Sequence, residues 1–220
     1  MTLRTMSRLV LVVILALSGC GDDEQQPKVT PIQEARGKAD GSTVTIEGAV
    51  SVAPGTFVSA MGDEGFALQD SSGGIYVKLA EKQGFGLGAK VRVTGTLAEQ
   101  NKLRILEAEP ANVKQLEGTQ NVTSKQVSTG EVTESNEGLL VKVSGNVTQT
   151  FQDDSPYGYK LYINDGSGEV QIFVHVSAGL DKATLQALTV GQRIAVVGLA
   201  AQYETTYEVA PRQPSDLTVP

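Results

Sequence analysis

The feature that most constrains the fold is a pair of alternating segments, each interrupted by a glycine. Thr43–Val52 (TVTIEGAVSV) and Leu140–Val147 (LVKVSGNV) both alternate apolar and polar residues, as half-buried strands do. Gly48 and Gly145 lie inside these segments, 97 residues apart. Because a glycine within a strand marks a bulge or a sharp bend of the kind that a barrel needs, the sequence predicts two copies of a bent β unit.

The two copies continue with the same order of elements. Phe66–Val77 and Leu161–Ile172 each hold two alternating runs around an Asp-x-Ser-Gly turn, which is typical of a hairpin. Gly88–Gly95 and Gly191–Gly198 then align as a fourth strand. A fifth strand follows in each copy, at Lys102–Ala108 and Thr206–Ala210. Because both copies repeat five strands in one order, the chain is predicted to hold two domains of one fold.

A short helix is predicted between the third and fourth strands of the second copy, within residues 178–190. Asp181 suits the N-cap of this helix, and Leu185 and Leu188 fall where they would face a core. The first copy has only residues 80–87 at this place, so its helix is predicted to be one turn or absent.

The glycine-interrupted first strand, the Asp-x-Ser-Gly hairpin and the glycine-bounded fourth strand resemble two families. These are the OB-fold nucleic-acid-binding domain family and the periplasmic bacterial OB-fold family. The resemblance covers roughly residues 42–118 and 138–220. It implies an all-β chain of two tandem five-stranded OB-fold (Greek-key) barrels, each with at most one short helix between strands three and four. Residues 119–137 are polar and are predicted to form a linker.

The N-terminus carries the pattern of an export signal. Arg4 and Arg8 precede Leu9–Leu17, an apolar run that is too short to span a bilayer and is typical of a signal peptide. The run ends in LSGC at Cys20, which resembles the lipobox of bacterial lipoproteins. The resemblance implies a signal peptide over residues 1–19, lipidation of Cys20 and stable attachment to a membrane. The alternative is an ordinary signal peptide with an incidental cysteine.

The segment after the signal predicts where the protein is held. Residues 20–41 are polar, contain two prolines and three glycines, and are predicted to be a flexible tether. The expected location is therefore the cell envelope, with the domains facing the periplasm or the exterior. Gly21 is not the aspartate that retains enterobacterial lipoproteins in the inner membrane, so the outer membrane is favoured where one exists.

The charge balance narrows the classes of ligand. Removal of Arg4 and Arg8 with the signal leaves 16 basic and 25 acidic residues and changes the formal net charge from -7 to -9. This acidity argues against tight nonspecific binding of nucleic acid, which depends on neutralised phosphates. Binding through a local basic patch stays open.

No catalytic motif stands out, so the chain is predicted to be a non-enzyme without cofactors. G-x-S-x-G, H-E-x-x-H and the P-loop are all absent. His175 falls on the outer side of an alternating run and is predicted to be an exposed strand residue. A hydrolase that uses Asp153 or Asp154 is the weakest alternative. Oxygen-bearing residues at 165–169 are spaced as in calcium loops, but they are interpreted as a hairpin turn and no metal site is predicted.

Aromatic residues of the second copy are the strongest indication of a binding surface. The resemblance places the ligand face on the outer side of strands two and three and on the flanking loops. The residues predicted to contact ligand there are Tyr157, Tyr162, Phe173, His175 and Tyr203. For Tyr203, a position that covers the open end of the barrel is the alternative. A second surface in the first copy is predicted from Tyr76, Lys78, Arg92 and Arg104. For the basic residues of this surface, a solvated strand face is the alternative.

Two functional hypotheses from different classes follow. The first is a non-catalytic binding module for single-stranded nucleic acid, an oligosaccharide or an envelope protein. The second is a structural or protein-interaction module of the envelope that has no small ligand.

Overall fold

The computed structural model describes residues 27–220, which form two β-barrels. The strands of the first barrel are β1 (Thr43–Val52), β2 (Phe66–Gln69), β3 (Gly74–Lys78), β4 (Ala89–Gln100) and β5 (Leu103–Glu107), followed by β6 (Val113–Thr119). The remaining strands are β7 (Lys125–Gln126), β8 (Leu140–Asp154), β9 (Gly158–Asn164), β10 (Glu169–His175), β11 (Arg193–Tyr203), β12 (Thr206–Ala210) and β13 (Leu217–Thr218). Two short helices complete the fold, α1 (Ile32–Arg36) and α2 (Lys182–Gln186).

Both sheets close into barrels with the strand order of an OB-fold, which confirms the predicted fold class. In the first barrel the order is β1-β2-β3-β5-β4, and β4 pairs back with β1. Strands β3 and β5 are parallel, and the other neighbours are antiparallel. The second barrel repeats this order as β8-β9-β10-β12-β11, and β11 pairs back with β8.

The two glycines noted in the sequence allow the first strand of each barrel to pass close to the second. A Cβ at Gly48 would lie 2.8 Å from the carbonyl oxygen of Gln69, and one at Gly145 would lie 2.8 Å from the carbonyl carbon of Asn164. Both neighbours are backbone atoms that cannot rotate away. A side chain at either position would therefore separate the strands where the first strand must pair on both sides to close the barrel.

The helix predicted in the second barrel is present as α2. The carboxylate of Asp181 accepts a hydrogen bond from the backbone N–H of Thr184 at 3.1 Å, and Leu185 and Leu188 are buried in the core. The first barrel has no helix between β3 and β4. Within residues 27–220, no helix is both long enough and apolar enough to cross a bilayer.

The described part of the predicted tether is folded against the first barrel, unlike the expectation. Ile32 and Ala35 of α1 have no exposed surface and lie in the barrel core. The backbone N–H of Ile32 donates to the Asp70 carboxylate at 3.0 Å. The sequence did not reveal this helix because its two buried residues stand within a short, polar stretch. Cys20 and residues 21–26 lie outside the described residues.

The predicted linker is packed in a corresponding way on the second barrel. Val127 and Val132 are buried in its core, and β7 extends its sheet beside β8. The Thr129 hydroxyl donates to the Asp165 carboxylate at 2.7 Å, and the Thr129 N–H donates to it at 3.1 Å. Asp70 and Asp165 occupy matching hairpin turns, so each carboxylate fastens the segment that precedes its barrel. The repeated unit is therefore longer than the strand pattern predicts.

In addition to the core inside each barrel, an apolar cluster lies between the barrels. It joins the outer side of β2, β3 and β5 to strands β11 and β12. Its buried members are Val52, Phe57, Ala67, Tyr76, Leu103, Ile105, Leu199, Ala201 and Ala210. At one edge of this contact, a Cβ on Gly74 would lie 2.0 Å from the Gly138 carbonyl oxygen. Glu137 accepts hydrogen bonds there from the Arg36 guanidinium at 3.0 Å and from the Arg104 N–H at 2.9 Å. The two barrels therefore pack as one unit.

Candidate functional site

A cleft of about 830 Å³ lies between the barrels, against the outer side of β9 and β10; it is called the inter-barrel cleft below. The second barrel lines it with all five residues predicted for its ligand face, Tyr157, Tyr162, Phe173, His175 and Tyr203. The first barrel supplies the opposite wall from residues 57–61 and from the β4–β5 turn. The sequence predicted the face, but it did not predict that the first barrel would turn this face into a cleft.

The alternation of β10 explains why these side chains point away from the second core. Val170, Ile172 and Val174 are buried in that core, and Phe173 lies on the opposite side of the strand. Because side chains alternate along a strand, Gln171 and the other odd-numbered residues share the face of Phe173. The predicted alternation is thus observed up to His175, whereas Val176, which the alternation predicts to point inward, lies past the end of the strand and is exposed.

A chain of polar side chains forms the floor of the inter-barrel cleft. The Tyr162 hydroxyl donates to the Gln171 amide oxygen at 2.8 Å, and the Gln171 amide nitrogen donates to the Glu208 carboxylate at 2.7 Å. Glu208 is only 4 % exposed, and its burial raises the pKa of the carboxyl to about 7. A buried carboxyl that titrates near neutral pH in a cleft is a recognised mark of functional sites.

Sequence reasoning missed Glu208 because a polar residue within TYEVA fits a solvated strand face equally well. The signal that could have found it is the strand order. In an OB-fold the third and fifth strands are parallel neighbours, and Gln171 of β10 stands opposite Glu208 of β12 in the register. A glutamine paired with a glutamate across two central strands indicates a hydrogen-bonded polar contact.

The rim of the inter-barrel cleft presents apolar side chains to solvent. Tyr157, in the turn between β8 and β9, is 48 % exposed, and Tyr203, at the end of β11, is 57 % exposed. On the first barrel, Met61 is 82 % exposed. Large apolar side chains with this much exposure can bury further surface only when a ligand covers them, so they favour binding.

His175 is buried, contrary to the predicted exposed strand position. Its Nδ1 atom lies 2.5 Å from the Ser177 hydroxyl, which in turn donates to the Thr56 carbonyl oxygen of the first barrel at 2.8 Å. Burial lowers the pKa of His175, which favours the uncharged ring. The histidine therefore connects the cleft to the loop that forms its opposite wall.

Tyr76 does point outward from its own barrel, as the alternation predicts, but the second barrel covers that face. The side chain has no exposed surface, and burial raises the pKa of its hydroxyl well above the usual value. The hydroxyl oxygen lies 2.9 Å from the Phe57 carbonyl oxygen and 2.8 Å from the Asp63 carboxylate, and its single proton is shared between these two acceptors. Tyr76 therefore anchors the loop that walls the cleft and does not reach the cleft itself.

The three basic residues predicted as part of the same surface are each paired with a carboxylate. Lys78 contacts Glu107 at 3.1 Å, and Arg92 contacts Glu47 at 2.5 Å. Arg104 pairs with Asp40 and also donates to the Lys38 carbonyl oxygen. None of the three is among the described residues that line the inter-barrel cleft. The structure thus does not bring the first-barrel set together with the aromatic set.

The charged residues along the inter-barrel cleft are mainly acidic. Among its described lining residues, Lys160 is the single lysine or arginine, and it pairs with Asp154 at 2.9 Å. Glu204 and Glu208 add two further carboxyl groups. The cleft therefore carries no excess of positive charge with which to attract phosphates.

The two aspartates considered for hydrolysis are engaged in ion pairs. Asp153 accepts hydrogen bonds from Lys182 at 2.6 Å and from the Ser155 hydroxyl at 2.5 Å, and these bonds lower its pKa to about 2. Such a carboxyl stays ionised at neutral pH and cannot serve as a general acid there. Asp154 pairs with Lys160.

Comparison with known proteins gives only weak matches. No family model matches the chain, and no curated protein matches it. Among solved structures, a murine DNA-binding protein bound to double-stranded DNA is 12 % identical, with a TM-score of 0.43 over 77 % of this chain and 93 % of that one. The p204 HINb domain is 11 % identical, with a TM-score of 0.38 over 78 % and 93 % of the two chains. The OB-fold assignment accordingly rests on the strand order and barrel closure described above.

Proposed function

We propose that this chain is a non-catalytic binding protein whose ligand occupies the inter-barrel cleft. One observation carries the proposal: five residues selected from the sequence as a ligand face converge on one cavity, which the first barrel walls on the other side. The cavity volume falls within the range of about 300–1,000 Å³ that is usual for ligand sites.

The different burial of the corresponding outer faces of the two barrels supports this proposal. The outer face of β2, β3 and β5 is buried in the contact between the barrels, so the first barrel has lost the surface that an OB-fold ordinarily offers to a ligand. The second barrel keeps that surface open. The first barrel therefore acts as a wall and a support, and the second as the binding domain.

A binding screen followed by rim variants tests the proposal. Purified residues 27–220 are screened against a glycan array and, by electrophoretic mobility shift, against a single-stranded dT12 oligonucleotide. The variants Tyr157→Ala and Tyr203→Ala should each weaken the binding of any ligand found by at least tenfold, because their rings lose contact area that only a ligand can cover.

The matched control is Val190→Ala, which truncates an apolar side chain that is 67 % exposed and does not line the cleft. This variant should bind as the wild type does. Full binding by both tyrosine variants, or an equal loss in the control, would place the ligand elsewhere. Recovery of one cross-linked envelope protein with no glycan or oligonucleotide binding would favour the interaction-module hypothesis instead.

We also propose that the mature chain is attached to a membrane through lipid on Cys20 and is held in the cell envelope. The charged N-terminal region, the short apolar run and LSGC support this proposal. Metabolic labelling with an alkyne-modified palmitate should mark the wild type and leave Cys20→Ser unmarked. Labelling of Cys20→Ser, or none in the wild type, would contradict the lipidation.

A further inference from the structure

We propose that the inter-barrel cleft selects an uncharged, hydroxyl-rich ligand, namely a neutral oligosaccharide, over single-stranded nucleic acid. This inference rests on the proposed binding function and names the ligand class for the same cleft. Three properties of the lining residues carry it: their charge, the polar floor and the apolar rim.

The charge of the cleft opposes a polyanion. A single-stranded nucleic acid binds by placing its phosphates against several lysine or arginine side chains. Lys160 is the one such residue among the described lining residues, and its Nζ already lies 2.9 Å from the Asp154 carboxylate. Glu204 is exposed at the rim and would face the same phosphates. A ligand without charge meets no such penalty.

The floor offers donors and acceptors suited to hydroxyl groups. Tyr162, Gln171 and Glu208 form one hydrogen-bonded chain, with successive distances of 2.8 and 2.7 Å. The carboxyl and amide groups of such a chain can both accept and donate, and a sugar hydroxyl does the same. Because each member already holds its neighbour in place, the floor is ordered before a ligand arrives, which lowers the entropy cost of binding.

The rim offers flat apolar surfaces of a size that matches sugar rings. Tyr157 and Tyr203 are each about half exposed. A sugar ring presents C–H groups on its faces and hydroxyls around its edge. Stacking on tyrosine buries the faces, while the phenol hydroxyl stays in contact with water. This combination of polar floor and aromatic rim is what an uncharged saccharide requires.

The first experiment measures ligand class and salt dependence together. Residues 27–220 are applied to an array of neutral, sialylated and sulfated oligosaccharides, and the best-retained glycan and dT12 are then titrated by calorimetry at 50 and 500 mM NaCl. We expect retention of neutral glycans, with an affinity that changes less than twofold between the two salt concentrations. Preferential retention of dT12 or of sulfated glycans, with at least a tenfold loss at high salt, would overturn the proposal.

The second experiment tests the floor. Glu208→Gln keeps the size of the side chain but replaces one oxygen with an N–H₂ donor, and it should weaken the binding of the retained neutral glycan at least fivefold. Glu117→Gln, on the exposed strand β6, is the matched control and should bind normally. Unchanged affinity in Glu208→Gln would show that the polar floor does not contribute to recognition of the ligand.

The outcomes separate the two proposals. A charged ligand that is lost in the Tyr157→Ala and Tyr203→Ala variants would overturn the saccharide inference and leave the cleft as a binding site. A neutral glycan that these rim variants bind normally would overturn both proposals. Absence of binding to every array member and to dT12 would also overturn both.

Discussion

Replacing Tyr76 by phenylalanine tests whether this residue anchors the wall of the inter-barrel cleft. The change removes a hydroxyl whose single proton is shared between the Phe57 carbonyl oxygen at 2.9 Å and the Asp63 carboxylate at 2.8 Å, from a side chain with no exposed surface. A neutral hydrogen bond contributes about 0.5–1.5 kcal/mol, and one to a charged group about 1.5–3 kcal/mol. Asp63 keeps donors from Ser59 and Gly65, so the expected loss lies within the range for one hydrogen bond to a charged group.

We therefore expect Tyr76→Phe to lower the free energy of unfolding by about 2–3 kcal/mol. For a folded chain of this size the melting temperature should fall by about 5–10 °C in a calorimetric scan. The matched control is Tyr157→Phe, whose side chain is 48 % exposed, and it should melt within about 1 °C of the wild type. Equal melting temperatures for the two variants would refute the structural role assigned to the Tyr76 hydroxyl.

Three further predictions concern stability. Burial raises the pKa of Glu208 from 4.5 to about 7, so the folded chain binds more protons than the unfolded chain between these values. The stabilising contribution of this group is complete below pH 4.5 and is lost as the pH rises through 7, by at most ~3 kcal/mol. Urea titrations from pH 4.5 to 7 should show this decline in the wild type but not in Glu208→Gln, and parallel profiles would contradict it. Gly74→Ala should lower the free energy of unfolding by about 3 kcal/mol or more, because the added Cβ would overlap the backbone of the other barrel. In the control Gly84→Ala, nothing lies within 4 Å of the added Cβ, so the denaturation midpoint should change little. Ile32→Ala should lower the free energy of unfolding by about 2–4 kcal/mol, since the side chain is fully buried. A loss below about 1 kcal/mol would indicate that α1 does not contribute to the core and behaves as a tether.

The strand pattern predicts the barrels well because barrel closure depends on features that are visible in short stretches of sequence. Alternation fixes which side chains of β10 face the core, and Gly48 and Gly145 mark the points of closest strand approach. These features depend on the period of a strand and on the absence of a Cβ, and both can be read without tertiary knowledge.

The contact between the barrels could not be predicted in this way. Tyr76 and Gln171 occupy equivalent outward positions on the third strands of their barrels, yet one is sealed against the neighbouring domain and the other lines a cleft. Alternation tells which residues leave the core, but it does not tell what covers them afterwards. Glu208 was missed for the same reason, since its burial depends on the parallel pairing of β10 with β12.

The helix α1 shows a second limit of the sequence pattern. Only Ile32 and Ala35 are buried in this five-residue helix, and its first N–H is held by Asp70 in a hairpin far along the chain. Two apolar residues three positions apart are too few to distinguish a helix from a polar loop in the sequence. The hydrogen bond that fixes the segment joins residues that are 38 positions apart. Local propensity alone is a weak guide to such a segment.

Amide chemical shifts are the most direct measure of whether ligand binds in the inter-barrel cleft. ¹H–¹⁵N spectra of residues 27–220 are recorded during titration with the tightest-binding member of the glycan and oligonucleotide panel. We expect shifts concentrated in residues 57–61, 157–162, 171–175 and 202–208, from both barrels. Shifts confined to the outer face of β1, β4 and β6, or no shifts with any member of the panel, would contradict binding in this cleft.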